Sequence, residues 1–167
     1  MKIFSRILSL LVIASLGFFY AGCGGSSSSG KAAEQTQLEN LSKTWTLQSV
    51  TLDGVDKKTG TDFSGVTLLI SGTYAAGGTY AYHMKGTFPN PSPWPNTGTW
   101  KFAGKTGDAL TKQMIRDTGD NLLAMTYTLT GTTLEIKFTL PTDAAGWTGG
   151  VFSRSAQVKG DWVFTFN

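Results

Sequence analysis

The sequence predicts an all-β fold, an eight-stranded antiparallel barrel of up-and-down topology. Short segments alternate apolar and polar side chains with the period of two that a half-buried strand requires. Glycine-containing turns separate these segments, and beyond residue 41 no window repeats apolar residues at helical spacing for the length of a core helix. A barrel is the closure that leaves such strands without exposed edges.

We expect the strands at residues 44–52, 66–73, 79–86, 98–103, 111–117, 121–129, 133–140 and 161–166. The clearest is 133–140, where the even-numbered residues from Leu134 to Leu140 are apolar and the odd-numbered ones are Thr, Glu or Lys. Charged residues on the outer faces argue against a barrel whose outside contacts lipid. Residues 31–41, ahead of the first strand, carry a weak helical pattern that predicts one or two turns.

The turn residues predict how these strands connect. Tight turns are expected at residues 77–78, 117–120 and 130–132, each of which contains glycine. Two connections are longer, at 53–65 and 141–160. Long loops without regular structure of their own are typically functional or mobile, and we expect 141–160 to be the most mobile part of the folded domain.

The amino-terminal segment has the pattern of a secretory signal. Lys2 and Arg6 are followed by an uncharged apolar run at residues 7–20, by small residues and then by Cys23, the single cysteine of the chain. The apolar run is shorter than the roughly 20 residues that span a bilayer. The alternative is an exported free or disulfide-bonded thiol, but no second cysteine is present for an intrachain bridge.

The cysteine after small residues, followed by the Gly/Ser-rich run of residues 24–30, resembles the lipobox of bacterial lipoproteins. The resemblance implies lipidation at Cys23 by a diacylglyceryl group and a further acyl chain, with palmitate as the expected acyl group. Gly24, where an Asp would retain the protein in the inner membrane, implies the outer membrane. Whether the protein faces the periplasm or the cell surface is left open. The resulting division is 1–22 signal peptide, 23–40 lipidated cysteine and flexible linker, and 41–167 barrel domain.

The barrel segment has its own family resemblance. Trp45 begins the first strand after a short helical turn, a long loop and a run of hairpins follow, and residues 94–102, 115–119 and 160–166 add Trp, Gly and turn residues. This pattern resembles the lipocalin-like (calycin) domains of Gram-negative outer-membrane lipoproteins. The resemblance implies a lipocalin-like barrel over most of residues 41–167.

One departure from lipocalins lies next to Trp45. Lipocalins carry Gly two residues before this Trp, and here that residue is Lys43. The resemblance also implies an arginine that covers the Trp from near the last strand. Arg154 and Arg116 are both candidates for this role, and spacing does not choose between them.

Composition and motifs favour neither catalysis nor a cofactor, metal or nucleic acid. Without Lys2 and Arg6, the chain has 12 basic and 11 acidic side chains, a net charge of +1, and the basic residues form no cluster. His83 is the single histidine, whereas zinc needs three or four ligands. Asp117 and Asp120 flank a hairpin glycine, where Asp is ordinary turn chemistry. The acids of the 53–65 connection match no calcium loop.

Aromatic residues outside the strand pattern are the candidate binding residues. Trp147 and Phe152 lie in the glycine-rich 141–160 connection, and aromatic residues on such loops often mark a contact surface. Trp94 lies between two prolines, and we expect it to plug one end of the barrel or to contribute to binding. Trp45, Phe138 and Trp162 lie on apolar strand faces, and we expect them to share one core.

These observations predict a lipid-anchored, monomeric envelope lipoprotein of the outer membrane. Its barrel is expected to act as a non-enzymatic binding module for a small apolar molecule, a glycan or a protein. The alternative is a structural or assembly lipoprotein with a packed barrel that contacts another envelope protein through its loops. The barrel interior discriminates the two, because a cavity of several hundred Å³ favours a ligand and a filled core favours a protein partner.

Overall fold

A computed structural model describes residues 32–60, 62–103, 111–117, 122–141, 145–148, 151–154 and 158–167. The chain divides into compact units at Met1–Lys31 and Ala32–Asn167, and all described residues belong to the second. The predicted signal peptide, Cys23 and the linker up to residue 31 therefore lie outside the described residues.

The described elements are one helix and eleven strands: α1 Ala33–Leu41, β1 Thr44–Leu52, β2 Val55–Asp56, β3 Thr67–Ser71, β4 Tyr80–Lys85, β5 Thr97–Ala103, β6 Thr111–Arg116, β7 Leu123–Thr130, β8 Thr133–Leu140, β9 Ala145–Thr148, β10 Val151–Arg154 and β11 Gly160–Phe166. Each of the eight predicted strands overlaps one of these, with bounds that differ by at most two residues.

The barrel closes as an antiparallel meander. The strands β1, β3 to β8 and β11 are hydrogen-bonded in chain order, and β11 pairs back onto β1. That closing ladder runs from Leu47 opposite Phe166 to Leu52 opposite Trp162, with a register shift between Leu47 and Ser49. The predicted eight-stranded antiparallel barrel is therefore confirmed. The strand β2 adds a short pairing to the end of β1.

The inward strand faces form a single aromatic-rich core. On β8 the even-numbered residues from Leu134 to Leu140 are all buried, as the alternation predicts. Trp45, Phe138 and Trp162 belong to the same buried cluster. The Phe138 ring stacks on Phe164 at 5.8 Å between centroids. The predicted shared core of these aromatic residues is confirmed.

The helix α1 lies at the end of the barrel where β1 begins. Leu38 and Leu41 are buried, and the Trp45 indole Nε1 donates to the Leu41 carbonyl at 2.9 Å. The Lys43 ammonium lies 3.9 Å from the Trp45 ring centroid, which is a cation–π contact. The cation over Trp45 is thus Lys43, and the candidate Arg116 lies instead against Trp94 and Phe138. The side chain of the other candidate, Arg154, is outside the described part of the chain.

The opposite end of the barrel is closed by connections between strands. Phe63, in the 53–65 connection, has a φ of 58° and is buried. Its ring packs edge-on against Phe88 and Phe164, at 6.2 and 5.7 Å. This connection therefore covers the core, and part of it is the strand β2.

The 141–160 connection also contains regular structure, so the expectation of an irregular loop is wrong. Its strands β9 and β10 form a separate antiparallel pair, in which Trp147 lies opposite Phe152. A Gly-Gly pair between two short apolar segments is a hairpin signal. The sequence analysis did not predict this hairpin, because four-residue strands are too short to establish a period of two.

Candidate functional site

A buried charged cluster lies at the loop-covered end of the barrel. Arg116, the last residue of β6, points inward and is 4 % exposed. Its Nε donates to Asp117 Oδ2 at 2.9 Å, and Nη1 lies 3.4 Å from the Pro93 carbonyl. Asp117 adopts a φ of 62°, and its backbone N–H donates to the Thr99 carbonyl at 2.6 Å. This turn conformation directs the carboxylate back to its neighbour Arg116.

Tyr82 completes the cluster from β4. Its hydroxyl donates to Asp117 Oδ1 at 3.3 Å. Burial raises the pKa of the Tyr82 phenol above its ordinary value, so the hydroxyl stays protonated as a donor. Burial lowers the pKa of the Arg116 guanidinium, and the neighbouring Tyr82 and Asp117 oppose that shift. Because arginine remains charged in proteins, the cluster holds one positive and one negative charge.

Glycine 98 makes room for this cluster. Gly98 lies on β5, opposite Tyr82 of β4. A Cβ built at Gly98 would collide with the Asp117 carboxylate and the Tyr82 hydroxyl. Any larger residue at position 98 would have to displace one of the two. The sequence alone does not reveal this requirement, because the three residues meet only across neighbouring strands.

Trp94 packs against the cluster from inside the barrel. The Arg116 guanidinium lies 5.5 Å from the Trp94 ring and 5.7 Å from the Phe138 ring. Trp94 is 3 % exposed and contacts Phe138 and Phe164 edge-on, at 5.4 and 5.3 Å. The plug predicted for Trp94 is therefore present. A ligand that contacts this residue has to reach the barrel interior.

The barrel interior is nearly filled. Within the part of the chain that the structure describes, the internal cavity has about 10 Å³ of free space, lined by apolar side chains and by Tyr82, Trp94, Trp100 and Arg116. That is about the space one water molecule occupies. An interior this small argues against a ligand held wholly inside the barrel.

A larger cleft opens in the barrel wall between β7 and β8. The pairing of these strands ends at Thr126 opposite Lys137. Beyond that point, residues 123–125 pair with β6 and residues 138–140 pair with β11. Among the described strands nothing pairs with the two edges that face each other. The cleft at this separation has a volume of about 790 Å³.

Both faces of the wall contribute to the cleft. Outward-facing Ile115, Ala124 and Val163 line it together with inward-facing Phe138 and Trp162. The lining also includes the inward-facing residues Met114 and Met125, which line the small internal cavity as well. The two spaces are therefore neighbours, separated by methionine side chains.

A second cleft of about 640 Å³ lies at the loop-covered end. Polar side chains of Lys57, Thr59, Asp62 and Asn90 line it beside Phe63. Apart from Trp162 of β11, its walls come from loops, whereas those of the β7–β8 cleft come from strands. Because strands position side chains more rigidly than loops, the β7–β8 cleft is the better-defined candidate site.

The other predicted site residues fall in several places. His83 lies half-buried on the outer face of β4, the face expected from the alternation. Asp117 accepts a hydrogen bond from Tyr82 of β4, whereas Asp120 lies outside the described residues. The structure describes the β9–β10 hairpin by its backbone, so the binding role of the Trp147 and Phe152 side chains stays a prediction.

The cluster around Arg116 was missed as a site. One signal in the sequence was available: Arg116 falls at an inward position of a strand whose preceding inward residue is Met114. A charge on the apolar face of a strand implies a buried partner. No three His, Cys, Asp or Glu residues converge in the described ranges.

Comparison with known proteins gives no relative: no protein-family model, curated protein or solved structure matches the chain. None of the described helices is long and apolar enough to cross a membrane. The site therefore has to be interpreted from its own geometry.

Proposed function

We propose that the protein is a lipid-anchored, non-enzymatic binding module of the cell envelope, with a lipocalin-like barrel that serves mainly as a rigid scaffold. Its ligand is a small apolar molecule, bound in the β7–β8 cleft. The signal-like segment and Cys23 support the anchor and the outer-membrane location. The cleft of about 790 Å³ in the barrel wall carries the binding proposal.

The size and lining of the cleft suit a small molecule. Ligand sites typically measure about 300–1,000 Å³ and are lined mostly by apolar side chains with a few polar groups. Here the apolar lining includes Ile115, Phe138 and Trp162, and Lys137 and Asp161 are among its charged groups. The nearly filled interior leaves this cleft as the larger space next to the core.

Two outward-facing alanines provide a matched test of the cleft. Ala124 lines the cleft on β7, and Ala81 lies on the outer face of β4, away from it. Ala124→Trp fills the cleft without entering the core, so binding of an apolar dye such as Nile red should weaken at least about tenfold. Ala81→Trp should leave the affinity unchanged. Equal affinities in the two variants would remove the cleft as the binding site.

The alternative function is assembly with another envelope protein. Two observations favour it: the nearly filled interior and the β9–β10 hairpin, which places Trp147 opposite Phe152. Crosslinking in the native envelope tests this alternative. A partner that is lost in the Trp147→Ala/Phe152→Ala double variant but kept in Ala124→Trp would favour assembly over ligand binding.

A further inference from the structure

The β7–β8 cleft separates two strand edges that are in register to pair. The ladder between these strands stops at Thr126 opposite Lys137. Two residues further along, the same register would place Ala124 opposite Thr139, and both residues line the cleft. The cleft of about 790 Å³ thus lies where the next hydrogen-bonded pair of the ladder would form, because such pairs recur at every second residue of an antiparallel pair.

Hydrogen bonds elsewhere in the wall fix the direction of the Ala124 backbone. The Asp117 N–H donates to the Thr99 carbonyl of β5 at 2.6 Å. Successive residues of a strand direct their N–H and C=O groups to opposite sides, so Arg116 directs its own groups to β7, where it pairs with Leu123. Leu123 therefore bonds to β6. The N–H and C=O of its neighbour Ala124 face the gap.

The same reasoning applies to the opposite edge. The Asp53 N–H donates to the Asp161 carbonyl at 2.9 Å, on the β1 side of β11. The next residue, Trp162, therefore directs its backbone groups to β8, where it pairs with Phe138. The N–H and C=O of Thr139 consequently face the gap from the β8 edge. The gap has one backbone donor and one backbone acceptor on each side, and no described strand pairs with them.

The charged side chains of the cleft already have partners. The Lys137 ammonium lies 2.8 Å from a Glu135 carboxylate oxygen, and the Asp161 carboxylate accepts from the Thr139 hydroxyl at 2.6 Å. The two strand edges add donors and acceptors in equal number and no net charge. Because apolar side chains such as Phe138 supply much of the remaining lining, the cleft favours a neutral ligand.

We propose that the small apolar molecule bound in the cleft carries a secondary amide, which bridges the edges of β7 and β8. A trans amide directs its N–H and C=O to opposite sides, so it donates to one edge and accepts from the other. A hydroxyl has both functions on one atom, and a carboxylate only accepts. Within residues 123–125 and 138–140, Ala124 and Thr139 alone direct backbone groups into the gap, so one amide satisfies it. This inference rests on the proposed binding function of the cleft.

Three neutral probes of similar length test the inference on the purified full chain: N-butylhexanamide, its N-methyl derivative and undecane. The N-methyl derivative keeps the carbonyl but lacks the N–H. We expect the secondary amide to displace Nile red at a concentration roughly two- to tenfold lower than the N-methyl derivative, the contribution of one hydrogen bond. Equal affinities, or tighter binding of the N-methyl derivative, would overturn the inference.

Hydrogen exchange of single amides tests the edges in the unmodified chain, so no variant has to fold. In the free protein the N–H groups of Ala124 and Thr139 should exchange faster than those of Thr126 and Lys137, which belong to the ladder. N-butylhexanamide at saturation should slow exchange at Ala124 or Thr139 more than undecane does. Slow exchange at both residues in the free protein would show that the edges already have partners and would overturn the inference.

The two proposals fail in different ways. Binding of undecane and of the secondary amide that both persist in Ala124→Trp would contradict the cleft itself and the inference with it. Binding that Ala124→Trp abolishes, but that shows no preference for the secondary amide, would leave the cleft as the site and overturn the amide bridge alone.

Discussion

At the scale of single residues, the charged Arg116 side chain lies inside an apolar barrel. Its immediate neighbours stabilise that charge. Asp117 supplies the opposite charge at 2.9 Å, and the rings of Trp94 and Phe138 lie within cation–π distance. A buried ion pair of this kind is weak evidence of added stability, because the desolvation of both charges offsets their attraction. The arrangement of Asp117 and Tyr82 around Arg116 depends on the space left by Gly98.

Gly98→Ala should destabilise the protein by about 1–3 kcal/mol, the usual cost of overpacking a filled core. The added Cβ would collide with Asp117 and Tyr82, so the cluster has to shift. Chemical denaturation measures the change, with Thr97→Ala at the neighbouring exposed position as the control. Two variants of equal stability would mean that the cluster moves freely and that Gly98 is not required.

The tyrosines predict a pH dependence on the alkaline side. Burial raises the pKa of Tyr82 and of Tyr127 above their ordinary value of 10.0. In the unfolded chain both phenols ionise near pH 10, so the folded state binds more protons above that pH. The free energy of unfolding should therefore be unaffected by these groups below about pH 10 and should fall as the pH rises further.

Tyr82→Phe and Tyr127→Phe should each reduce this alkaline loss of stability. Thermal unfolding between about pH 9 and 11 measures it, with the wild type as the reference. A wild-type melting temperature that stays constant over this range would contradict the prediction.

At the scale of elements, the alternation on β8 separates a buried face from an exposed one. Phe138 lies in the aromatic core, whereas Thr139 faces outward and donates to Asp161 at 2.6 Å. Phe138→Ala should cost about 3–5 kcal/mol, and Thr139→Ala about 1 kcal/mol or less. Denaturant midpoints measure both, and equal values would mean that the faces are assigned wrongly.

The helix α1 is an element that depends on tertiary contacts for its stability. Its weak pattern predicted one or two turns, and it has nine residues from Ala33 to Leu41, which is about two and a half turns. Leu38 and Leu41 are buried, and the Leu41 carbonyl accepts from Trp45. Short helices are marginal alone, and most of their stability comes from packing.

At the scale of the whole molecule, the barrel has two different ends. One end is covered by α1, which leads directly into β1. The other bears the Arg116 cluster and the end of the β7–β8 pairing. The candidate binding features therefore gather at the end away from the helix.

Lipidation at Cys23 gives the prediction that concerns the whole chain. Cys23→Ser removes the thiol that would carry lipid, so the protein should leave the membrane fraction as a soluble or uncleaved form, because stable anchoring needs two or more acyl chains. Fractionation after a carbonate wash measures this, and a Ser27→Ala variant serves as the linker control. Persistence of the Cys23→Ser protein in the outer membrane would show that lipid at this residue is not the anchor.

The sequence by itself determined the eight barrel strands, their inward faces and the shared core of Trp45, Phe138 and Trp162. These features are local, because the side-chain period of a strand and the chemistry of a turn are written in neighbouring residues. The β9–β10 hairpin was not predicted, because strands of four residues are too short to establish a period of two.

Only the tertiary structure decided the site. Tyr82, Gly98 and Asp117 come from different strands or turns, and their meeting depends on strand register. The β7–β8 cleft exists because a ladder stops at Thr126 and Lys137 while the outer partners of both strands continue. No local pattern encodes where two strands cease to pair, because that balance is set by the packing of the whole barrel around a nearly filled core.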